Sequence, residues 1–358
     1  MRKEEKLVVT IQDIAEEVGV SRGTVDRVLN HRGRVAKETA DQVNAAAERL
    51  GYRKTLAGTG LAMKKKKLQF GFIYVDHREA VFHSLIYEAA HQKAKELAQY
   101  GVTVHFLPIR VLAEYRTQVK EMVRDFMRRY PEICGWVAIN DFVDVLCEIW
   151  EEDGCTPLPV VAYNMDVEDK SRRLCYVGCD YERAGRIACG LAALMTGERG
   201  RVLIASEDTG NIPSYVGRRK GFLEEMKRYP QMVVVDEEYL SEKGMQDRTG
   251  FQKRMQELFS ENEDIDVLYL LNPSDYSICD IVKRVSTNKS LRVITNDLVT
   301  DLQRQMIQDG RITATIDQEP DVQGRKTLEI LFRYLAMDRE PEQDWYQTNL
   351  SVIIRQNL

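Results

Sequence analysis

The chain has 358 residues, of which 44% are apolar and 30% are charged, a composition typical of a soluble globular protein. One hydrophobic core rarely extends over so many residues, so we expect two or three domains. No apolar run approaches the length of a membrane span, and the charged residues 1–6 are not followed by an apolar stretch, so we expect a cytoplasmic protein without a secretory signal.

Charge is unevenly distributed along the sequence. Residues 1–67 contain 15 Lys and Arg side chains against 9 Asp and Glu, a net charge of +6, whereas the remainder carries −11. A basic N-terminal segment on an acidic body is typical of a nucleic-acid-binding module joined to a domain with another role. The seven cysteines are odd in number and form no Cys-x-x-Cys pair, so we expect reduced, mostly buried thiols rather than metal ligands.

The first predicted elements are two short helices joined by a tight turn. Thr10 is placed to cap the first helix, with Asp13 three residues on, and the apolar residues at helical spacing are Ile11, Ile14, Ala15 and Val18. Gly19 permits the turn, and Ser21 caps a second helix. The inward face of that helix consists of Val25, Val28 and Leu29. This pattern predicts a helix-turn-helix, whose second helix enters the DNA major groove.

The exposed face of the second helix is basic. It carries Arg22, Thr24 and Arg27, which favours DNA binding over a helical hairpin packed inside a larger fold. We expect Arg22 to read a base, because a guanidinium can bind guanine O6 and N7 together, for about 1–3 kcal/mol of discrimination. Gly23 has no side chain to read with, which shifts more of the specificity onto Arg22.

Residues 10–52 resemble the headpiece of LacI/GalR-type transcription regulators. The matching residues are Thr10-Ile11-x-Asp13-Ile14-Ala15, Gly19-Val20-Ser21, Thr24-Val25-x-Arg27-Val28-Leu29-Asn30 and Leu50-Gly51-Tyr52. The sequence departs from the family at Asp26, where Ser is usual, and this places an acid near the phosphates. The resemblance implies a homodimer on pseudo-palindromic double-stranded operator DNA. The implied DNA-binding residues are Thr10, Ser21, Arg22, Gly23, Thr24, Arg27, Asn30 and Leu61.

Residues 53–67 form the expected hinge linker between this headpiece, residues 1–52, and the body. In the resembling family the linker becomes helical on operator DNA, and a leucine that corresponds to Leu61 enters the minor groove and kinks the duplex. The alternative is that Leu61 is an ordinary linker residue. Gly58 and Gly60 each cost a helix about 1 kcal/mol relative to alanine, so we expect this hinge to be less helical than usual.

From residue 68 onwards, short apolar runs alternate with helical patterns. Residues 68–75 and 102–109 are typical of buried strands, and about 80–100 and 114–129 are typical of helices. A similar second unit has strands at residues 201–205, 233–235, 267–271 and 292–295. The alternation predicts right-handed βαβ units and an α/β fold with parallel sheets.

This body resembles the two-lobed type I periplasmic-binding-protein fold of the same family's effector domains, in its ribose-binding-like branch. The matching residues are Val177-Gly178-x-Asp180 with Ala184-Gly185, Arg218-x-x-Gly221-Phe222, Asn296-Asp297, Ala314-Thr315-Ile316-Asp317-Gln318-x-Pro320 and Gln323-Gly324. The resemblance implies an effector-binding and dimerisation domain over residues 68–358. We expect lobe 1 at about 68–180 and 311–320, and lobe 2 at about 181–310 and 321–358.

Such lobes bind ligands at the carboxyl ends of their strands. The resemblance implies ligand contacts from Arg218, Asn272, Asp297 and Gln318. Weaker candidates from the first lobe are Phe82, Asp76 and Asn164. Asn272 and Asp297 have an alternative role as turn or helix-cap residues, and Phe82 is as often a core residue.

No enzyme signature, cofactor motif or metal-ligand set occurs in the sequence. We therefore expect a DNA-binding transcription regulator, most simply a repressor, whose operator affinity is controlled by a small ligand, with a carbohydrate favoured. One alternative is a regulator that senses a purine or a phosphorylated metabolite. A solute-binding receptor is less favoured, because such a protein needs export.

Overall fold

The computed structural model describes residues 9–29, 33, 35–52, 67–76, 81–110, 116–207, 212–240, 248–262, 264–271 and 276–358. The chain divides into two compact units, Met1–Lys65 and Lys66–Leu358. The first is helical, and the second alternates strands and helices, which confirms the predicted fold class. Within the described ranges, every helix lacks the length and apolar composition needed to cross a bilayer.

The described part of the first unit contains helices α1 (Ile11–Val18), α2 (Arg22–Leu29) and α3 (Lys37–Arg49). A capping box begins α1. The Thr10 hydroxyl accepts a hydrogen bond from the Asp13 amide at 3.3 Å, and the Thr10 amide donates to the Asp13 carboxylate at 2.6 Å. Gly19 ends α1 with a left-handed backbone, at φ 73°. Ser21 Oγ accepts from the Thr24 amide at 3.1 Å and so caps α2 as predicted.

One apolar cluster holds these three helices together. Its buried members are Ile14, Ala15, Val25, Val28, Val43, Ala46 and Ala47. Val20 in the turn and Tyr52 after α3 pack against the cluster. The residues that helical spacing assigned to the inward faces lie in this core, so the predicted helix-turn-helix is confirmed.

The second unit consists of two lobes, each built on a six-stranded sheet. The first lobe has strands β1 (Gln69–Val75), β2 (Thr103–Ile109), β3 (Ile133–Ala138), β4 (Val160–Tyr163), β5 (Cys175–Gly178) and β11 (Trp345–Gln347). Its helices are α4 (Val81–Ala98), α5 (Arg116–Arg129), α6 (Asn140–Glu152) and α12 (Pro320–Met337), with a short 3-10 helix (Lys170–Arg172). The strand order is β11-β5-β4-β3-β1-β2, and the pairings are parallel.

The second lobe repeats this arrangement. Its strands are β6 (Arg199–Glu207), β7 (Gln231–Leu240), β8 (Val267–Leu270), β9 (Arg292–Asn296), β10 (Ala314–Asp317) and β12 (Ser351–Ile353). Its helices are α7 (Tyr181–Thr196), α8 (Ile212–Met226), α9 (Arg248–Glu261), α10 (Ser277–Val285) and α11 (Asp301–Gln308). The order is β12-β10-β9-β8-β6-β7, with β12 antiparallel to β10 and the other pairings parallel.

The interior strands are apolar runs because neighbouring layers cover both faces of each sheet. All four residues of β4 and of β8 are buried. The seven cysteines are free thiols, as predicted, and Cys175, Cys179, Cys189 and Cys279 are buried.

The assignment of the C-terminal segments to lobes differs from the prediction. Residues 311–320 were expected in lobe 1, but β10 pairs with β9 in the second sheet. Residues 321–358 were expected in lobe 2, but β11 pairs with β5 in the first sheet, and only β12 returns to the second.

The course of α12 gives the physical reason for this correction. A Cβ atom on Gly324 would lie 2.2 Å from the carbonyl oxygen of Ile86 in α4, so the two helices are in direct backbone contact. Phe332 lies against Tyr100, with ring centroids 5.7 Å apart. The apolar face of α12 therefore belongs to the first lobe, and the chain crosses between lobes three times.

Candidate functional site

The exposed face of α2 is the candidate DNA-binding surface of the first unit. Arg22, Gly23 and Arg27 are exposed, and Thr24 is partly buried. Arg27 Nε donates to the carbonyl oxygen of Gly23 at 3.0 Å, so its guanidinium folds back along the helix. A Cβ atom at position 23 would lie 4.0 Å from Arg27 Nη2. The arginine therefore occupies the space beside Gly23 and presents its charge there.

Thr10 and Ser21 lie at the beginnings of the two helices. Their hydroxyls take part in the caps, and Ser21 Oγ also lies 2.9 Å from Thr24 Oγ1. Helix beginnings carry unpaired backbone N–H groups and partial positive charge, so both are suited to phosphate oxygens. Asn30 and Leu61, the other predicted DNA-binding residues, lie outside the described residues.

In the second unit, three glycines allow α7 and α8 to pack with their backbones in contact. A Cβ atom on Gly185 would lie 2.0 Å from the Arg218 carbonyl oxygen, and one on Gly221 would lie 1.9 Å from the Glu182 carbonyl oxygen. A Cβ atom on Gly217 would lie 2.7 Å from Tyr181 Cβ. This close approach places the Arg218 side chain directly beside the first turn of α7.

Arg218 is buried, with 3% of its side chain exposed. Its Nη1 donates to the carbonyl oxygen of Leu271 at 2.9 Å, and its Nη2 lies 3.4 Å from Asp297 Oδ2. Burial is the largest single influence on the pKa of Arg218 and acts to lower it, but the Asp297 carboxylate and the neighbouring thiol and phenol groups together outweigh burial, so the pKa is raised. The guanidinium therefore stays charged inside the second lobe.

Asp297 follows β9 in a left-handed conformation, at φ 66°. Its amide donates to the Ile316 carbonyl oxygen at 2.8 Å. Its own carbonyl oxygen accepts from Thr315 Oγ1 at 2.7 Å and from Gln303 Nε2. Because the backbone is held from both sides, the carboxylate has a fixed direction, with 18% of the side chain exposed.

Gln318 lies at the crossing between β10 and α12. Its Nε2 donates to Asp297 Oδ1 at 2.7 Å. Its Oε1 is buried and has no hydrogen-bond partner among the described residues. Buried polar atoms are nearly always paired, so this oxygen is a candidate acceptor for a ligand hydroxyl.

Asn164 is the contribution of the first lobe to the same region. It follows β4 at φ 57° and is 1% exposed. Its carbonyl oxygen accepts from Tyr176 Oη at 2.6 Å and from Tyr181 Oη at 2.8 Å, and Tyr181 Oη also lies 2.9 Å from Asn164 Oδ1. Its Nδ2 is buried and unpaired among the residues that the structure describes.

Tyr181 is a member of this cluster that the sequence reasoning missed. Its ring lies under the Arg218 guanidinium, 5.3 Å from ring centroid to Cζ. Tyr181 thus connects Asn164 to Arg218. Asp297 in turn connects Arg218 to Gln318. The signal for Tyr181 in the sequence was its position directly after Asp180, at the crossing between the two predicted α/β units.

Two of the remaining predicted ligand residues, Asp76 and Phe82, have their described contacts outside this cluster. Asp76 follows β1, and its carboxylate lies 3.4 Å from Arg110 Nε. Phe82 is partly buried in the first turn of α4, edge-on to His83. Asn272 lies outside the described residues.

A separate pocket of about 310 Å³ lies between α4 and the segment around α11. Its lining residues are Leu85, Glu88, Ala89, Gln92, Leu298, Arg304, Asp317, Pro320 and Asp321. It borders the Arg218 cluster through Leu298 and Asp317, the chain neighbours of Asp297 and Gln318. Burial, reinforced by the Asp297 charge, raises the pKa of Asp317 to about 6.

The cluster suits recognition by hydrogen bonds better than catalysis or metal binding. It offers a buried amide, a buried amide oxygen, a carboxylate and a guanidinium, which are hydrogen-bonding groups of the kind that orient ligands in binding pockets. In the described part of the chain, no group of three or more His, Cys, Asp or Glu side chains is arranged to hold a metal ion.

Comparison with known proteins supports both units. Residues 10–54 match a family described as bacterial regulatory proteins, lacI family, and residues 157–339 match a periplasmic binding protein domain. The catabolite control protein A of Staphylococcus aureus (strain Mu50 / ATCC 700699) is 46% identical over 59 residues, which are 16% of this chain and 18% of that protein. The transcriptional regulator GalS of Salmonella typhimurium is 28% identical over 152 residues, or 38% of this chain and 44% of GalS. The chain thus matches less than half the length of these relatives.

Solved structures share the fold of the two-lobed unit. GanP, a glucose-galactose binding protein from Geobacillus stearothermophilus, superposes with a TM-score of 0.65 at 20% identity, covering 81% of this chain and 98% of GanP. A periplasmic solute binding protein from Actinobacillus succinogenes, solved with bound D-allose, gives 0.66 at 15% identity over 81% and 98% of the two chains. This chain therefore belongs to the periplasmic binding protein domain family through residues 157–339, and its helix-turn-helix matches the family described as bacterial regulatory proteins, lacI family.

Proposed function

We propose that the protein is a dimeric, sequence-specific transcription regulator, a repressor whose operator affinity is set by a small ligand between its two lobes. The observation that carries the proposal is the presence in one chain of an exposed arginine face on a helix-turn-helix and a polar cluster between two α/β lobes. Catabolite control protein A and GalS, which share parts of this sequence, are regulators by name. A catalytic step forms no part of the proposal.

For DNA, Arg22 and Arg27 are the base-reading candidates of the second helix. Both are exposed, and the Arg27 side chain folds back along the helix to Gly23, the residue that follows Arg22. Each guanidinium can bind guanine through two acceptors. The helix beginnings at Thr10 and Ser21 supply phosphate contacts, which give affinity and register. A homodimer would read a pseudo-palindromic operator with two such faces.

For the ligand, the charges of the cluster favour a neutral, polyhydroxylated compound. The Arg218 charge is offset by Asp297, so this pair gives a phosphate group no net attraction. The buried Asn164 amide and Gln318 oxygen each require one further partner, and a hydroxyl group supplies either a donor or an acceptor. The fold relatives named above for glucose-galactose and D-allose support a carbohydrate.

Regulation would follow from the position of the cluster at the crossings between lobes. A ligand that contacts both lobes binds one interlobe angle more tightly and so shifts the population towards it. In a dimer, that angle sets the spacing of the two headpieces, and the ligand and operator affinities become coupled.

The DNA-binding part is tested by selecting operator duplexes from a random library and comparing them with scrambled duplexes by fluorescence anisotropy. Arg22→Ala should lose about 1–3 kcal/mol of discrimination, a ratio of roughly 5- to 150-fold. Arg49→Ala is the matched control, because this exposed arginine lies on α3 and pairs with Glu17. Equal discrimination by the wild type and Arg22→Ala would contradict the assignment of Arg22.

The effector is tested by a thermal-shift screen with D-glucose, D-galactose, D-allose, D-arabinose, D-ribose and D-fructose, followed by their phosphates, adenine and guanine. A free sugar should raise the melting temperature of the wild type and leave that of Arg218→Ala unchanged. Arg219→Ala is the control, since this neighbouring side chain pairs with Glu237 instead. A response to phosphates or purines alone would overturn the carbohydrate assignment.

A further inference from the structure

Tyr181 contacts one candidate ligand residue in each lobe. Its hydroxyl lies 2.8 Å from the carbonyl oxygen and 2.9 Å from the side-chain oxygen of Asn164, in the first lobe. Its ring lies under the guanidinium of Arg218, in the second lobe. Tyr181 itself is the first residue of α7, so it is carried by the second lobe. One side chain therefore spans the junction.

The position of Tyr181 is closely fixed on the second-lobe side. Asp180 caps α7 by accepting from the Arg183 amide at 2.9 Å. Gly217 leaves room for Tyr181, because a Cβ atom there would meet Tyr181 Cβ at 2.7 Å. The ring cannot be displaced towards α8 without moving that helix. A change in the interlobe angle must therefore act on the hydroxyl contact with Asn164.

Asn164 is held in place by the first lobe, but the hydrogen bonding of its side chain is incomplete among the described residues. The main-chain N–H of Asn164 donates a hydrogen bond to the Val177 carbonyl oxygen at 3.1 Å, which holds Asn164 against β5. The Oδ1 atom of the Asn164 side chain contacts the Tyr181 hydroxyl. Its Nδ2 atom is buried without a hydrogen-bond partner among the described residues. A ligand that pairs with this Nδ2 atom would meet an amide whose orientation Tyr181 has already set.

We infer that Tyr181 is a positioning residue that connects the two halves of the ligand site, orienting the Asn164 amide through its hydroxyl and supporting the Arg218 guanidinium through its ring. This inference rests on the proposed effector function. It assigns to Tyr181 the coupling of ligand binding to the angle between the lobes. The hydroxyl is the part that crosses between lobes, and the ring is the part that stays within the second lobe.

The test compares the full-length wild type with Tyr181→Phe, which removes the hydroxyl and keeps the ring. Tyr163→Phe is the matched control, because its buried hydroxyl donates to the Ile73 carbonyl oxygen at 3.0 Å within the first lobe. Each variant removes one tyrosine hydroxyl that donates to oxygen acceptors, partly buried at Tyr181 and buried at Tyr163. A purely structural role would give them similar behaviour.

The first measurement needs no ligand. Hydrogen exchange measured by mass spectrometry should show that Tyr181→Phe speeds amide exchange in both residues 160–166 and residues 180–186. The expected increase is about 2- to 10-fold, because this ratio corresponds to the net free energy of one hydrogen bond. Tyr163→Phe should affect residues 70–75 and leave 180–186 at the wild-type rate. The inference is overturned if Tyr181→Phe changes neither segment, or only one of them.

The second measurement uses the sugar from the screened panel that gives the largest thermal shift with the wild type. Tyr181→Phe should reduce the ratio of operator affinities with and without that sugar at least fivefold. Tyr163→Phe should keep the wild-type ratio, and an unchanged ratio in Tyr181→Phe would refute the coupling role. If no sugar shifts the wild type, the effector proposal fails, and the exchange measurement still decides the interlobe contact.

Discussion

Gly185 lies so close to Arg218 that a Cβ atom at position 185 would come within 2.0 Å of the Arg218 carbonyl oxygen. Glycine is therefore required for α7 and α8 to meet at this distance. We predict that Gly185→Ala forces the helices apart and lowers the free energy of unfolding by about 1–3 kcal/mol, as overpacking does in other cores. Urea denaturation followed by circular dichroism measures this change.

Gly190 in the same helix is the control. A Cβ atom there would meet nothing within 4 Å. Since alanine is preferred to glycine inside helices, Gly190→Ala should raise stability by about 0.5–1 kcal/mol. Equal effects of the two substitutions would mean that the close contact with Arg218 does not limit packing.

Arg173 ties the C-terminal segment to the first sheet. None of its side chain is exposed, and its guanidinium contacts Asp166 Oδ1 at 2.5 Å and Asp344 Oδ1 at 2.8 Å. We predict that Arg173→Met costs about 1.5–3 kcal/mol, the range for hydrogen bonds to charged groups. Thermal unfolding gives the loss, and hydrogen exchange should locate it at β11 and β5.

The neighbouring Arg172 provides the comparison for this prediction. Its side chain is 36% exposed and pairs with Asp144 at 2.8 Å. Exposed ion pairs contribute little, so Arg172→Met should cost less than about 1 kcal/mol. If the two variants lose similar amounts, burial of the Arg173 guanidinium has no special effect.

Asp317 should make stability depend on pH between about 4 and 6. Burial, with the Asp297 charge, raises its pKa from 3.8 to about 6 in the folded chain, so the protonated carboxyl favours folding. This contribution is present below the unfolded pKa and is lost as the pH rises through about 6. Relative to Asp317→Asn, the wild type should therefore lose on the order of 2–3 kcal/mol between pH 4 and pH 7.

Denaturant titrations of both proteins at half-unit steps measure this difference. The two stability curves should diverge from pH 4 to about 6 and run parallel above pH 7. Parallel curves over the whole range would show that the Asp317 carboxyl keeps its ordinary pKa in the folded protein.

Thr10 should stabilise the first helix of the DNA-binding unit. Its hydroxyl accepts from the Asp13 amide, and its amide donates to the Asp13 carboxylate. Thr10→Ala should cost about 1 kcal/mol and speed amide exchange in residues 11–18 roughly fivefold. Thr10→Ser keeps the hydroxyl and should behave like the wild type. If Thr10→Ala changes neither the stability nor the amide exchange of residues 11–18, the capping box does not stabilise this helix.

The helix-turn-helix was predicted closely from the sequence because its determinants are local. The cap joins residues three apart, Gly19 sets the turn, and the core positions follow helical spacing. The α/β class and parallel sheets were likewise predictable, since strand and helix periods differ along the chain.

The cluster between the lobes was predictable only in part. Arg218 and Asp297 are 79 residues apart, and Gln318 is 21 residues beyond Asp297, so no local pattern joins them. The resemblance to a known fold supplied these candidates, whereas the contacts of Tyr181 with Asn164 and Arg218 required the folded chain.

By itself, the sequence determined the local elements: the capped helices, the turn at Gly19 and the alternation of strand and helix. Tertiary structure alone decided that α12 and β11 join the first lobe, and that Tyr181 spans both. The physical reason is that the apolar face of a helix or strand indicates that the face is buried, but it does not identify the element against which it packs. The partner is chosen by long-range fit, such as Gly324 against Ile86 and Gly185 against Arg218.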